Sequence, residues 1–159
     1  MAKLTIDGAG NVRFGNRPFG NDAVYRFIVE TGATGILQRS RDATVALAVN
    51  DVIYAGRLQA GMVPDTMKAI VSNHFGAGVT ASFGFAYADG VDSAELPQSA
   101  TYFGTGIVLS AAAEVQIPIK AKLAALPKDA YLTITVTGAA ISEAGYMDVV
   151  VRGEQTGAP

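Results

Sequence analysis

The sequence predicts an all-β protein, an antiparallel two-sheet β-sandwich of jelly-roll type with an extended N-terminal arm. Three observations carry that prediction. Apolar residues recur at every second position through much of the chain, the spacing that buries one face of a strand. Glycines and Asn/Asp pairs punctuate these runs, as turns require. No long stretch sustains the 3.6-residue period of an amphipathic helix. About eight strands joined by such turns make a sandwich, with residues 1–22 as the arm, 23–153 as the sandwich and 154–159 as a tail.

In the arm, Gly8, Gly10, Gly15 and Gly20 interrupt the chain, and only Leu4 to Ile6 and Val12 to Phe14 are suited to pairing, as a short hairpin. From Ala23 the pattern turns strictly alternating: Tyr25, Phe27 and Val29 share one face, and Arg26, Ile28 and Glu30 share the other. A Gly-Ala-Thr-Gly loop at Gly32 to Gly35 and a charged connector from Arg39 to Asp42 precede an expected strand from Thr44 to Val49. Asn50-Asp51 turns the chain into a strand from Val52 to Leu58, Gly61 to Pro64 reads as a loop or strand switch, and Met67 to Asn73 is extended again. In the next strand Val79, Ala81, Phe83, Phe85 and Tyr87 line one face. Their neighbours Thr80, Ser82, Gly84 and Ala86 are small and leave a flat face on which another backbone or subunit can lie.

Asp89-Gly90 ends that strand and opens an exposed acidic loop to Pro97. A strand near Tyr102 to Leu109 follows, and then a run from Glu114 to Lys120 with Val115, Ile117 and Ile119 on one face. Pro118 lies in that run, and proline donates no ladder hydrogen bond, so the strand is an edge or carries a bulge. Ala121 to Leu126 suits a helical turn stopped by Pro127. The two clearest strands close the chain: Tyr131 to Thr137, alternating Leu132, Ile134 and Val136 with threonines, and Tyr146 to Arg152, alternating Met147, Val149 and Val151 with Asp148, Val150 and Arg152.

Composition narrows the function. At 159 residues the chain suits one domain, burying about 70% of the surface its unfolded form exposes. Half the residues are apolar and only 16% are charged, so much of the surface is small or neutral and suited to close protein contact. The absence of cysteine excludes disulfides, thiolate metal sites and cysteine nucleophiles. No apolar run approaches the roughly 20 residues of a membrane-spanning helix, and the opening residues lack a signal-peptide core. A protein made in a cytosol-like compartment, with no membrane partner, is expected.

Charge is unevenly spread: six basic against three acidic residues in 1–41, and six against eleven in 42–159. A basic leading segment on an acidic body is able to dock on an acidic neighbour, including another copy of itself. Arg13, Phe14, Arg17, Phe19 and Tyr25 combine aromatic and cationic groups and are the expected protein-contact residues.

Reactive chemistry is thin. His74 is the single histidine, no G-x-S-x-G elbow occurs, and the residue reads as a strand-end histidine beside Phe75-Gly76. Gly76-Ala77-Gly78 and Gly104-Thr105-Gly106 lack the lysine and following helix of a phosphate loop. Asp89, Asp92 and Glu95 supply carboxylates but not a full calcium-loop pattern, and read as a solvated acidic turn. There is no tryptophan to stack a sugar, although six tyrosines are present. Basic residues are too scattered for nucleic acid. No catalytic residue, metal or cofactor is expected.

Four segments, VIYAGRLQAGMVPDTMKAIVSN, GVTASFGFAYADG, AEVQIPIKAKLAALPKDAYLTITVTGAA and GYMDVVVRGE, resemble small virion structural proteins of tailed bacteriophages, the group that includes capsid decoration or cement proteins. The resemblance spans about residues 45 to 154, departs at Gln59 where proline is common, and does not reach the glycine-rich N-terminal part. It implies a non-enzymatic protein made in the host cytoplasm. It also implies that the protein assembles as a homotrimer, binds the major capsid protein on the outside of the virion and stabilises the shell. The competing expectation is a tail or fibre module that binds host glycans through tyrosines and the loop from Asp89 to Glu95. An enzyme ranks below both.

Overall fold

A computed structural model describes residues 1–6, 22–119 and 124–156. Among these, the regular elements are all strands: β1 (Lys3–Thr5), β2 (Asp22–Glu30), β3 (Val52–Leu58), β4 (Met62–Asn73), β5 (Thr80–Tyr87), β6 (Ser99–Val108), β7 (Ala113–Ile117), β8 (Ala130–Thr137) and β9 (Tyr146–Gln155). They form a five-stranded sheet, β1-β3-β8-β5-β6, and a four-stranded sheet, β2-β9-β4-β7.

The pairing is nested. β2 pairs with β9, β3 with β8, β4 with β7 and β5 with β6, all antiparallel. A long hairpin with its tip between β5 and β6, rolled until its strands divide between two layers, gives this order, which is the jelly roll. β1 lies outside the nest and adds to the edge of β3 in parallel, Leu4 opposite Ile53.

The alternation read from the sequence predicts which side chains enter the core. Tyr25, Phe27 and Val29 of β2, Leu132, Ile134 and Val136 of β8, and Met147, Val149 and Val151 of β9 are all buried between the sheets. Phe83, Phe85 and Tyr87 of β5 join them. The Phe85 ring lies 5.0 Å from Tyr102 and 6.3 Å from Phe103 of β6, and such aromatic pairs add about 0.5–1.5 kcal/mol beyond area burial.

Five expectations are corrected. The first six residues are not arm: Leu4 and Ile6 are 7% and 5% exposed and belong to the core. Thr44 to Val49 is not a strand. It lies in the crossing from β2 in one sheet to β3 in the other, and apart from one isolated bridge, Ile36 with Ala46, it finds no ladder partner. Pro64 lies within β4, where a register shift between Pro64 and Thr66 absorbs it. Because β7 pairs only from Met67 onward, the missing proline N–H is not needed on that side. β6 starts at Ser99, before the expected Tyr102. β9 runs on to Gln155, opposite Met62, so the sandwich extends past residue 153.

Pro118 behaves as expected: β7 is an edge strand and ends at Ile117. Of the expected helical turn from Ala121 to Leu126, residues 121–123 lie outside the described residues, and 124–126 are irregular and not helical. Leu126 itself is buried and holds the loop down, donating to Met62 O at 2.9 Å and accepting from Gly61 N–H at 2.7 Å.

Candidate protein interface

Arg13, Phe14, Arg17 and Phe19 lie outside the described residues. The chain on both sides of them is fixed, however. Ile6 N–H donates to Tyr54 O at 3.3 Å on the five-stranded sheet. On the four-stranded sheet, Asp22 Oδ1 accepts from Arg152 Nε at 3.0 Å. Ile6 and Asp22, the described residues on either side, are thus held on different sheets. Tyr25 turns inward, 9% exposed, its ring stacked 6.2 Å from Phe27. The face of β2 that carries Tyr25 is the inner one, so in the single chain its ring is a core ring and not a surface available to a partner.

Topology collects the connections β2–β3, β4–β5, β6–β7 and β8–β9 at one end of the sandwich. Hydrogen bonds lock these loops together: Ile141 N–H to Leu47 O at 2.9 Å, Leu47 N–H to Gly35 O at 3.1 Å, and Phe75 N–H to Leu109 O at 3.0 Å. The buried Thr31 hydroxyl donates to Glu143 O and accepts from Gly145 N–H, each at 2.8 Å. Gly35 takes φ +75°, and a Cβ there would lie 2.1 Å from Ile141 O, so only glycine allows this approach.

The locked loops present an apolar, small-residue surface. Val45 is 67% exposed and Val49 41%, on either side of the fully buried Leu47. Ala46, Ala48, Ala77, Ala111, Ala112, Ala140 and Ala144 are exposed around them. Polar side chains at this end contact one another: Arg39 lies 3.7 Å from Glu30, and His74 Nδ1 3.4 Å from Glu143. The sequence signal for this surface was present in Thr44 to Val49, an apolar run whose exposure only the crossing between sheets determines.

The opposite end carries the acidic loop, and its carboxylates are used internally. Asp89 Oδ2 accepts from Lys128 Nζ at 2.8 Å, and Lys128 also donates to Val91 O at 2.9 Å while standing 4.9 Å over the Tyr87 ring. The Lys128 bond and the Val91 N–H hold the Asp89 carboxyl below the usual aspartate range. Asp92 Oδ1 accepts from Ser93 N–H at 2.8 Å and Gln98 N–H at 2.7 Å. The Tyr87 hydroxyl donates to Leu96 O, and burial pushes its pKa up. Among the described residues no three His, Asp or Glu side chains gather into a metal-holding group.

The outer face of the four-stranded sheet is laced by ion pairs. Asp148, only 4% exposed, accepts from Arg26 Nε at 2.8 Å, and this bond raises the Arg26 pKa. Lys68 pairs with Glu114 at 3.2 Å. The outer face of the five-stranded sheet instead carries hydroxyls, Thr80 bonded to Thr137 and Ser82 to Thr105, each at 2.8 Å. A shallow depression of about 270 Å³ opens there between Lys3 and Gln98, with Tyr54 and Thr133 in its lining.

The same fold occurs in two solved capsid structures. A chain of the capsid of Ralstonia phage GP4 superposes with a TM-score of 0.61 at 15% identity, over 98% of this chain and 100% of that one. A chain of the cyanophage Pam1 capsid asymmetric unit superposes with a TM-score of 0.56 at 15% identity, over 94% of each chain. At that identity the likeness is one of fold. No family model matches the chain, and no curated protein matches it in sequence.

Proposed function

We propose that this chain is a non-enzymatic structural protein of a tailed-phage virion that binds the outside of the capsid lattice, on the major capsid protein, as a homotrimer, and stabilises the shell. The observation that carries the reading is the whole-length likeness to a chain of the Ralstonia phage GP4 capsid, all of which is matched. The locked, apolar loop end around Val45 and Val49 supports it, since a rigid surface of small side chains loses little entropy on docking. A trimer suits a three-fold position of a lattice, and once one subunit is seated the others bind at high effective concentration, raising avidity by about 10² to 10⁴.

The test is direct. Quantitative mass spectrometry of purified virions should find the chain in hundreds of copies, the order expected of a lattice component; a handful of copies would place it in a tail or neck instead. In a capsid-binding assay, the Val45→Glu, Val49→Glu double variant should fold normally and bind at least about tenfold more weakly, the equivalent of 1.4 kcal/mol. Unchanged binding would move the interface away from this end.

A further inference from the structure

We propose that β1 is exchanged between copies, the Ala2–Ile6 segment of one chain completing the five-stranded sheet of its neighbour. The eight nested strands β2 to β9 make a complete jelly roll, and β1 is an addition to it, joined in parallel to the edge of β3. That edge is a built receptor. Leu4 and Ile6 fill two core positions, and Val52 N–H donates to Ala2 O at 3.0 Å. Asp51, only 6% exposed, accepts from Ala2 N–H through Oδ1 at 2.7 Å and from Ala48 N–H through Oδ2 at 2.9 Å, so one carboxylate joins the incoming strand to the loop before β3.

Every one of these contacts is the same whether the strand comes from its own chain or from a neighbour. Exchange therefore costs no bond and is governed by tether length and local concentration. The tether is residues 7–21, a length that spans about 50 Å when extended. A domain of this size has a radius of gyration of about 15 Å, so the reach is sufficient for a neighbour. In the single chain β1 is seated in cis on its own β3.

The inference rests on the self-association in the proposed function, and the experiment separates the two. The protein has no cysteine, so an engineered pair is the sole source of disulfide. Lys3 and Val52 are opposite each other in the β1–β3 register. Chains carrying Lys3→Cys and chains carrying Val52→Cys, with distinguishable tags, are co-expressed, oxidised and run on a non-reducing gel, and the same sample is weighed by analytical ultracentrifugation.

Exchange predicts a cross-chain disulfide between the two variants, at least tenfold above the Lys3→Cys homodimer. An oligomer without that bond overturns exchange and leaves self-association standing; a monomer without it overturns both. If Val52→Cys impairs folding, Thr5→Cys with Tyr54→Cys reports the same register.

Discussion

Gly84 offers the sharpest test of how β6 is held. Phe83 is opposite Gly104, yet Phe85 is opposite Ser99, so β6 spends three extra residues over this stretch and its backbone bulges across the outer face of β5. A Cβ on Gly84 would lie 2.0 Å from Ser99 O and 2.4 Å from Ala100 C. Relief to the 3.0 Å floor of real contacts needs the bulge to retreat by about 1 Å, and the obstruction is backbone, which has no rotamer to change. Gly84→Ala should therefore fall at the upper end of overpacking costs, about 3 kcal/mol. For a chain of this size that corresponds to a fall in Tm of about 6–12 °C.

Two further substitutions calibrate the result. Gly90 has φ +72° and nothing within 4 Å of an added Cβ, so Gly90→Ala pays only left-handed strain, about 1–2 kcal/mol. Gly104→Ala meets Ile117 Cγ2 at 3.0 Å, a side-chain methyl and not backbone well inside that distance, and should cost less than Gly84→Ala. Urea midpoints and thermal melts at one fixed protein concentration measure all three. A Gly84→Ala cost no larger than that of Gly90→Ala would refute the bulge across β5.

Three other outcomes follow from the structure. The Thr133 hydroxyl is buried without a hydrogen-bond partner, so Thr133→Val should raise stability by about 1 kcal/mol in urea unfolding, by removing an unsatisfied group. Asp51→Ala removes the acceptor for Ala2 and Ala48 N–H and should cost about 2 kcal/mol. Hydrogen exchange should then show lost protection at Val52, whose N–H bonds to Ala2 O. The Asp89 carboxyl is held low by Lys128, so its contribution to stability is present above the ordinary aspartate pKa, about 3.9, and is lost as pH falls through the lowered folded value. A carboxyl NMR titration should place Asp89 below that range, and Lys128→Met should move it upward.

Strand positions and inner faces were legible because they depend on local chemistry. Alternation puts Leu132, Ile134 and Val136 on one side of the backbone whatever lies around them, and a sheet then has one way to bury them. Pro118 likewise marked an edge, because the loss of an N–H is a property of the residue itself. The virion proposal also began from sequence segments, and the likeness to two capsid chains is one of fold.

Partner choice is non-local, and there the same pattern carried too little information. Leu4 to Ile6 has the composition to pair with its neighbour in sequence, but it pairs with β3, some fifty residues along, where the edge has open backbone groups and Leu4 and Ile6 enter the core. Thr44 to Val49 has strand composition and lacks a strand's ladder, because it is used in crossing from one sheet to the other. Tyr25 carries an aromatic ring and hydroxyl suited to an interface, and the register of β2 on β9, Tyr25 opposite the buried Val151, turns it inward. Alternation along a chain is decided by bond geometry over two residues, whereas pairing is decided by which distant segments can desolvate together, and that competition is resolved only when the whole chain has folded.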